Sequence, residues 1–228
     1  MLRKVKTLFL PCISYRFVSM IKHMYLKLSA VILALSVSAN AFAQESDSVE
    51  YKENKEKAIK FAVNKNINAA LPLLTSCYQK NMEDKEVQTM ISASLISIAS
   101  DKANLQGSLD TINSWTAKFP FLKDDKQVRK VYTINANQLA FLSFQEKNIE
   151  KSLAYHDIVI EELSKNQDLG LKDNKDLISM AVNLAADQFE KKEFRNARKI
   201  ASESLAYFND PELKKMLKYM DDKNLGLN

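Results

Sequence analysis

Three glycines and four prolines are all that 228 residues contain of the two strongest turn formers. A sheet of many short strands needs a turn signal about every 8 to 12 residues, and this chain cannot supply them. Alternating apolar and polar runs are missing as well. Apolar residues recur instead at spacings of three and four, the signature of helices that bury one stripe. Leu177, Ala181, Leu184, Ala185 and Phe189 line one such face, and Ala197, Ile200, Ala201, Leu205 and Phe208 line another. Between them lies only the short polar turn Lys191-Lys192-Glu193-Phe194. So little chain makes the two helices antiparallel neighbours. Asn209-Asp210-Pro211 ends this hairpin and opens a final helix to about Asp222, with Asp210 as N-cap and Pro211 at the first helical position.

The first 43 residues read as a segment apart. They hold six basic residues (Arg3, Lys4, Lys6, Arg16, Lys22, Lys27) and no acidic one, then an apolar run from Leu28 to Val37, then Ala41-Phe42-Ala43. That order is the layout of a secretory signal with an A-x-A exit, so residues 1–43 are expected to be cleaved after about Ala43. The length exceeds the roughly 15 to 30 residues usual for such a signal, which suggests Met20 or Met24 as the true start. About ten strongly apolar residues are too few for a bilayer core, which takes roughly 20. The expected location is periplasmic or secreted.

Loss of this leader removes the positive bias. The formal charge of +5 counts its six basic residues, and residues 44–228 carry 27 basic side chains against 28 acidic. A near-neutral domain lacks the clustered cations from which nucleic-acid binding draws its affinity. Cys12 also leaves with the leader, so Cys77 stands alone and no intramolecular disulfide forms.

The hairpin plan of the last third can be laid over three earlier segments. Ile67 to Tyr78, Leu105 to Thr116 and Ile149 to Ile160 each open on an apolar residue and carry a small one three places later: Ala70, Ser108 and Ser152, matching Ala197 after Phe194. Twelve residues before each small position stand Ala58, Ile96, Ala140 and Ala185. All but Ile96 of these are small, and small residues at both places let two helix axes approach closely where they cross. The intervals between the small residues of the second helices are 38, 44 and 45.

The segment Asn183 to Ala197 resembles the tetratricopeptide repeat family. Ala185 stands where Gly or Ala is usual, Phe194 at the turn aromatic, and Ala197 at the small position of the second helix; Pro120 falls where the second repeat would end. The intervals exceed that family's period of about 34 residues, and no segment carries the full set of aromatic and Gly positions. The resemblance implies an all-α protein, an α-α superhelix of about four hairpins over residues 50 to 222 with the helix Glu212 to Asp222 as C-terminal cap. It further implies a concave surface lined by the first helix of each hairpin. On that geometry the groove positions are Lys55, Ser97, Asn137, Phe141, Gln145, Val182 and Phe189, a mixture of amides and apolar groups that suits a peptide.

Catalytic candidates are sparse. His156, the one histidine after the leader, shares the stripe Leu153, Ile160 and Leu163 and reads first as a residue between helices, although it could titrate near neutral pH. Cys77 lies on the stripe Ala70, Leu74, Cys77 and reads as core filler. No zinc, EF-hand or phosphate-loop spacing occurs, so no cofactor or metal is expected. Trp115, in line with Leu105, Leu109 and Ile112, belongs to the core, and the tract Ser164 to Asp176 reads as a flexible connection.

The expectation is an exported, non-catalytic module that binds a protein or peptide partner. Two alternatives stand beside it. A helical hydrolase of the cell wall would need an isolated buried carboxylate, and a self-associating structural protein would need an uncapped end.

Overall fold

The computed structural model describes residues 49–166 and 168–227, so the expected leader and its cleavage point lie outside the described residues. Among the described residues there are nine α-helices and no strand: α1 Val49–Val63, α2 Ile67–Lys80, α3 Lys85–Ala99, α4 Leu105–Lys118, α5 Lys126–Gln145, α6 Ile149–Lys165, α7 Lys175–Glu190, α8 Phe194–Leu205 and α9 Pro211–Asp222. Short 3-10 turns at Lys102–Asn104 and Pro120–Lys123 flank α4. The protein is all-α, with sequence-adjacent helices packed in pairs.

Seven of these helices start on a cap that the sequence writes in Asp or Asn, while α8 follows Glu193 without a side-chain cap. Asp84, Asp125, Asn174 and Asp210 precede α3, α5, α7 and α9, and each side chain accepts hydrogen bonds from the backbone N–H groups two and three residues on. Asn66, Asn104 and Asn148 cap α2, α4 and α6 through the N–H three residues on. These are the donors that a helix start leaves without a partner.

The turns inside three hairpins are copies of one another. Lys65, Lys147 and Lys192 sit at φ 59°, 61° and 64°, in the left-handed region that glycine usually fills. The following residues Asn66, Asn148 and Glu193 donate backbone hydrogen bonds of 2.9, 2.8 and 2.9 Å to the carbonyls of Phe61, Ser143 and Gln188. Together with the bonds from Lys65, Lys147 and Lys192 to the carbonyls three residues back, they close a Schellman turn. The same turn ends α9, where Asn224 has φ 53° and Leu225 bonds back to Met220.

The chain forms two compact units that divide between Ala93 and Ser94, inside α3. In the first, α1 packs against α2 over Tyr51, Ala58, Ala70, Leu74 and Cys77. Asp84 closes this unit's polar side: it accepts hydrogen bonds from the Tyr51 hydroxyl at 2.6 Å and the Lys55 ammonium at 2.7 Å, and Lys55 also meets Glu86 at 2.7 Å. Burial alone would raise the Asp84 carboxyl, but these hydrogen bonds and that from the Val87 N–H outweigh it and hold it below the usual carboxylate range.

In the second unit the hairpins stack in two rows. First helices meet first helices: the Asn135 side chain donates to the Ala99 carbonyl at 2.8 Å, α5 packs on α7, and Phe189 of α7 meets Tyr219 of α9 edge-on with ring centroids 5.8 Å apart. Second helices meet second helices: the Tyr155 hydroxyl of α6 bonds to Gln106 of α4, and Lys199 of α8 pairs with Asp157 of α6 at 3.1 Å. Within the α5–α6 hairpin, Arg129 and Glu162 form a buried two-pronged ion pair with the Arg129 guanidinium 4.5 Å over the Tyr132 ring. α9 packs on α8 and α7 through buried Leu213 and Met220, while Lys214, Lys215, Lys218, Asp221 and Asp222 are exposed, which makes it the expected C-terminal cap.

One connection differs from its expectation. Ser164 to Asp176 is not simply a flexible link: α6 runs through Lys165, and Leu169 and Leu171 are both buried. Two leucines on either side of Gly170, which has φ 64°, fold back into the core before Asn174 caps α7. Their apolar burial anchors the segment.

Candidate functional site

Seven positions were expected to face a common groove, and the two units hold them differently. Lys55 belongs to the first unit and is engaged by Asp84 and Glu86, half-buried in that network. Burial alone would lower its ammonium, but the two carboxylates outweigh this and raise it above the usual lysine value. Its first partners are therefore within its own unit. The other six positions lie in the second unit.

Asn137, Phe141 and Gln145 follow one another at intervals of four along α5, and so share one stripe of that helix. Exposure rises along it: Asn137 is 4% exposed, Phe141 39%, and Gln145, the last residue of the helix, is exposed. The Asn137 side-chain amide oxygen, Oδ1, is buried with no hydrogen-bond partner among the described residues. Val182 is half-buried on the adjacent first helix α7. Ser97 is half-buried on α3. Phe189 is half-buried and packs edge-on against Phe194 at 5.3 Å as well as against Tyr219, so its ring is part of the α7–α8–α9 packing.

Leu142 is exposed beside Phe141 and was not among the expected positions. The signal was in the sequence: Phe141-Leu142 places two large apolar residues in succession, and a helix burying one stripe cannot turn both inward. Helix α5 also carries no Asp or Glu, and its basic residues Lys126, Arg129 and Lys130 all lie in its first five positions. The Phe141 end is thus uncharged on α5 itself, an apolar and amide surface.

The groups that could do chemistry are placed elsewhere. His156 is 2% exposed, its Nε2 3.4 Å from the Ser204 hydroxyl and its Nδ1 without a partner among the described residues. Burial pushes its pKa down to about 4, with Asp157 opposing and Lys199 adding to the shift, so it does not titrate near neutral pH as its sequence allowed. Cys77 is buried on α2, near Tyr51 of α1. Glu162 is a buried carboxylate but not an isolated one, since Arg129 holds both its oxygens. Trp115 is buried and meets Phe119 edge-on at 5.9 Å.

Among the described residues no three His, Cys, Asp or Glu side chains come together as metal ligands do, and no helix is long and apolar enough to cross a membrane. No protein-family model matches the chain, and no curated protein or solved structure matches it.

Proposed function

We propose that the chain is a non-catalytic interaction module that holds a protein or peptide partner along the first-helix row of its second unit. One observation carries this reading: α5 and α7 pack side by side, with Phe141, Leu142 and Gln145 exposed on one and Val182 half-buried on the other. Exposed aromatic and aliphatic groups next to amides are what a partner needs. The apolar groups take its side chains, and the amides pair with its backbone.

In this reading the hairpins are degenerate tetratricopeptide repeats, and the leader of residues 1–43 sends the protein out of the bacterial cytoplasm, where it serves as a scaffold or adaptor for other envelope proteins. The bound segment lies along α5 and α7, anchored by an apolar side chain at Phe141.

Site-specific photocrosslinking tests the placement. A photoreactive phenylalanine analogue is built into the full chain at position 141, at 145, or at the exposed Ala154 on α6, and the cells are irradiated. The same adduct of defined mass from 141 and 145, and none from 154, is the expected result. Adducts from all three positions alike, or from 154 alone, would remove the α5 face as the site.

A further inference from the structure

The seam between the third and fourth hairpins contains a group that the proposed binding face does not use. His156 of α6 and Ser204 of α8 meet at 3.4 Å with both side chains buried, and this contact lies between hairpins, not within one. The imidazole has one neighbour for two nitrogens, because Nδ1 is buried without a partner among the described residues. A neutral ring leaves at most one weak demand unmet there. An imidazolium has two N–H donors, and the second would carry charge with nothing to receive it.

The charged surroundings do not supply that acceptor. From α8, Lys199 faces the seam and is held by Asp157 of α6 at 3.1 Å and by Glu203 at 4.0 Å. Asp157 is therefore already committed to an ammonium. Helix α5, which packs along α6, has no carboxylate, and its Arg129 is joined to Glu162. Helix α4 reaches α6 through Gln106, and its own charges, Asp110 and Lys118, are exposed.

We propose that the α6–α8 seam is an acid-sensitive joint, at which a proton taken up by His156 releases the hairpin α7–α8 from α6. The ring gains its missing hydration only if the seam opens, since Ser204 is fully buried and offers a single oxygen. Opening would separate α7 from α5 as well, and so take apart the face that the two helices share. The device rests on His156 and its seam, and stands whether or not that face binds a partner.

Two readouts separate this from general acid unfolding. Trp115 is the one tryptophan of the chain, buried on α4, and its emission follows the second hairpin. Hydrogen exchange of peptides from α8, corrected for the intrinsic rate, follows the seam. The full chain is titrated from pH 7 to pH 3.5, with His156→Gln and His156→Leu beside it. At least a tenfold loss of α8 protection before Trp115 emission moves, absent from whichever variant folds, is expected. Simultaneous change of both probes, or the same early loss of protection in the variants, overturns the joint.

Discussion

The Ser152 hydroxyl donates a 2.7 Å hydrogen bond to the Ala140 carbonyl, twelve residues earlier and on the facing helix. Both residues are fully buried, so α5 and α6 touch backbone to side chain at this point. The spacing of twelve that recurs in the sequence is here a physical contact: small residues on both sides are what let the helices cross so closely. Ser152→Ala should cost about 1 kcal/mol, the net value of one hydrogen bond. Ser152→Leu, which puts extra atoms into a filled crossing, should cost about 1–3 kcal/mol or more. Urea midpoints of the two variants give the order directly, and Leu milder than Ala would contradict the close crossing.

Lys147 holds a left-handed backbone in the α5–α6 turn with its side chain exposed. That conformation costs a residue with a Cβ roughly 1–2 kcal/mol. Lys147→Gly should therefore stabilise the protein by about 0.5–1 kcal/mol after the added freedom of the unfolded chain is set against the gain. Lys147→Val should destabilise it. Thermal melting of the pair is enough, and equal midpoints would argue against the positive φ.

Arg129 and Glu162 are both buried, and neither is tolerable alone. Removing the guanidinium in Arg129→Met should cost about 3–5 kcal/mol, because the Glu162 carboxylate stays behind without its partner. The double change Arg129→Met with Glu162→Leu should recover most of that loss. A double variant as unstable as the single one would mean that the ion pair itself, and not the stranded charge, sets the stability.

His156 fixes the sign of one part of the pH dependence. Its folded pKa, about 4, lies below its ordinary value of 6.5, so between these values the unfolded chain binds a proton that the folded one does not. Stability from this group is intact above pH 6.5 and falls as the pH drops toward 4, by up to about 3 kcal/mol. His156→Gln should flatten the slope of unfolding free energy between pH 6.5 and 4. An unchanged slope would place the acid sensitivity elsewhere.

The helix starts were legible in the sequence. Ile67, Leu105, Ile149 and Phe194 begin α2, α4, α6 and α8 as the apolar residue followed by a small one predicts, and Asp210 and Pro211 open α9 as expected. The Schellman turns were not, because lysine at 65, 147 and 192 gives no sign of the left-handed backbone that glycine would advertise. Leu169 and Leu171 were hidden by polar neighbours in a tract too short for periodicity. For the site, helical spacing put Asn137, Phe141 and Gln145 on one stripe of α5, but spacing alone does not say how deeply a stripe is set. Asn137 is inside and Gln145 outside because the packing of neighbouring hairpins, not the pattern of one helix, decides where the surface runs.

Capture from envelope extract tests the central claim most directly, with the full-length protein as bait beside two variants whose melting matches it. Phe141→Ala with Gln145→Ala alters the proposed face, and Glu150→Ala with Glu161→Ala alters exposed positions on α6. One specific protein retained by the native chain and by the α6 variant, and reduced at least tenfold by the α5 variant, is the predicted result. Equal retention by all three would contradict a binding face on α5, and so would capture of nothing above background.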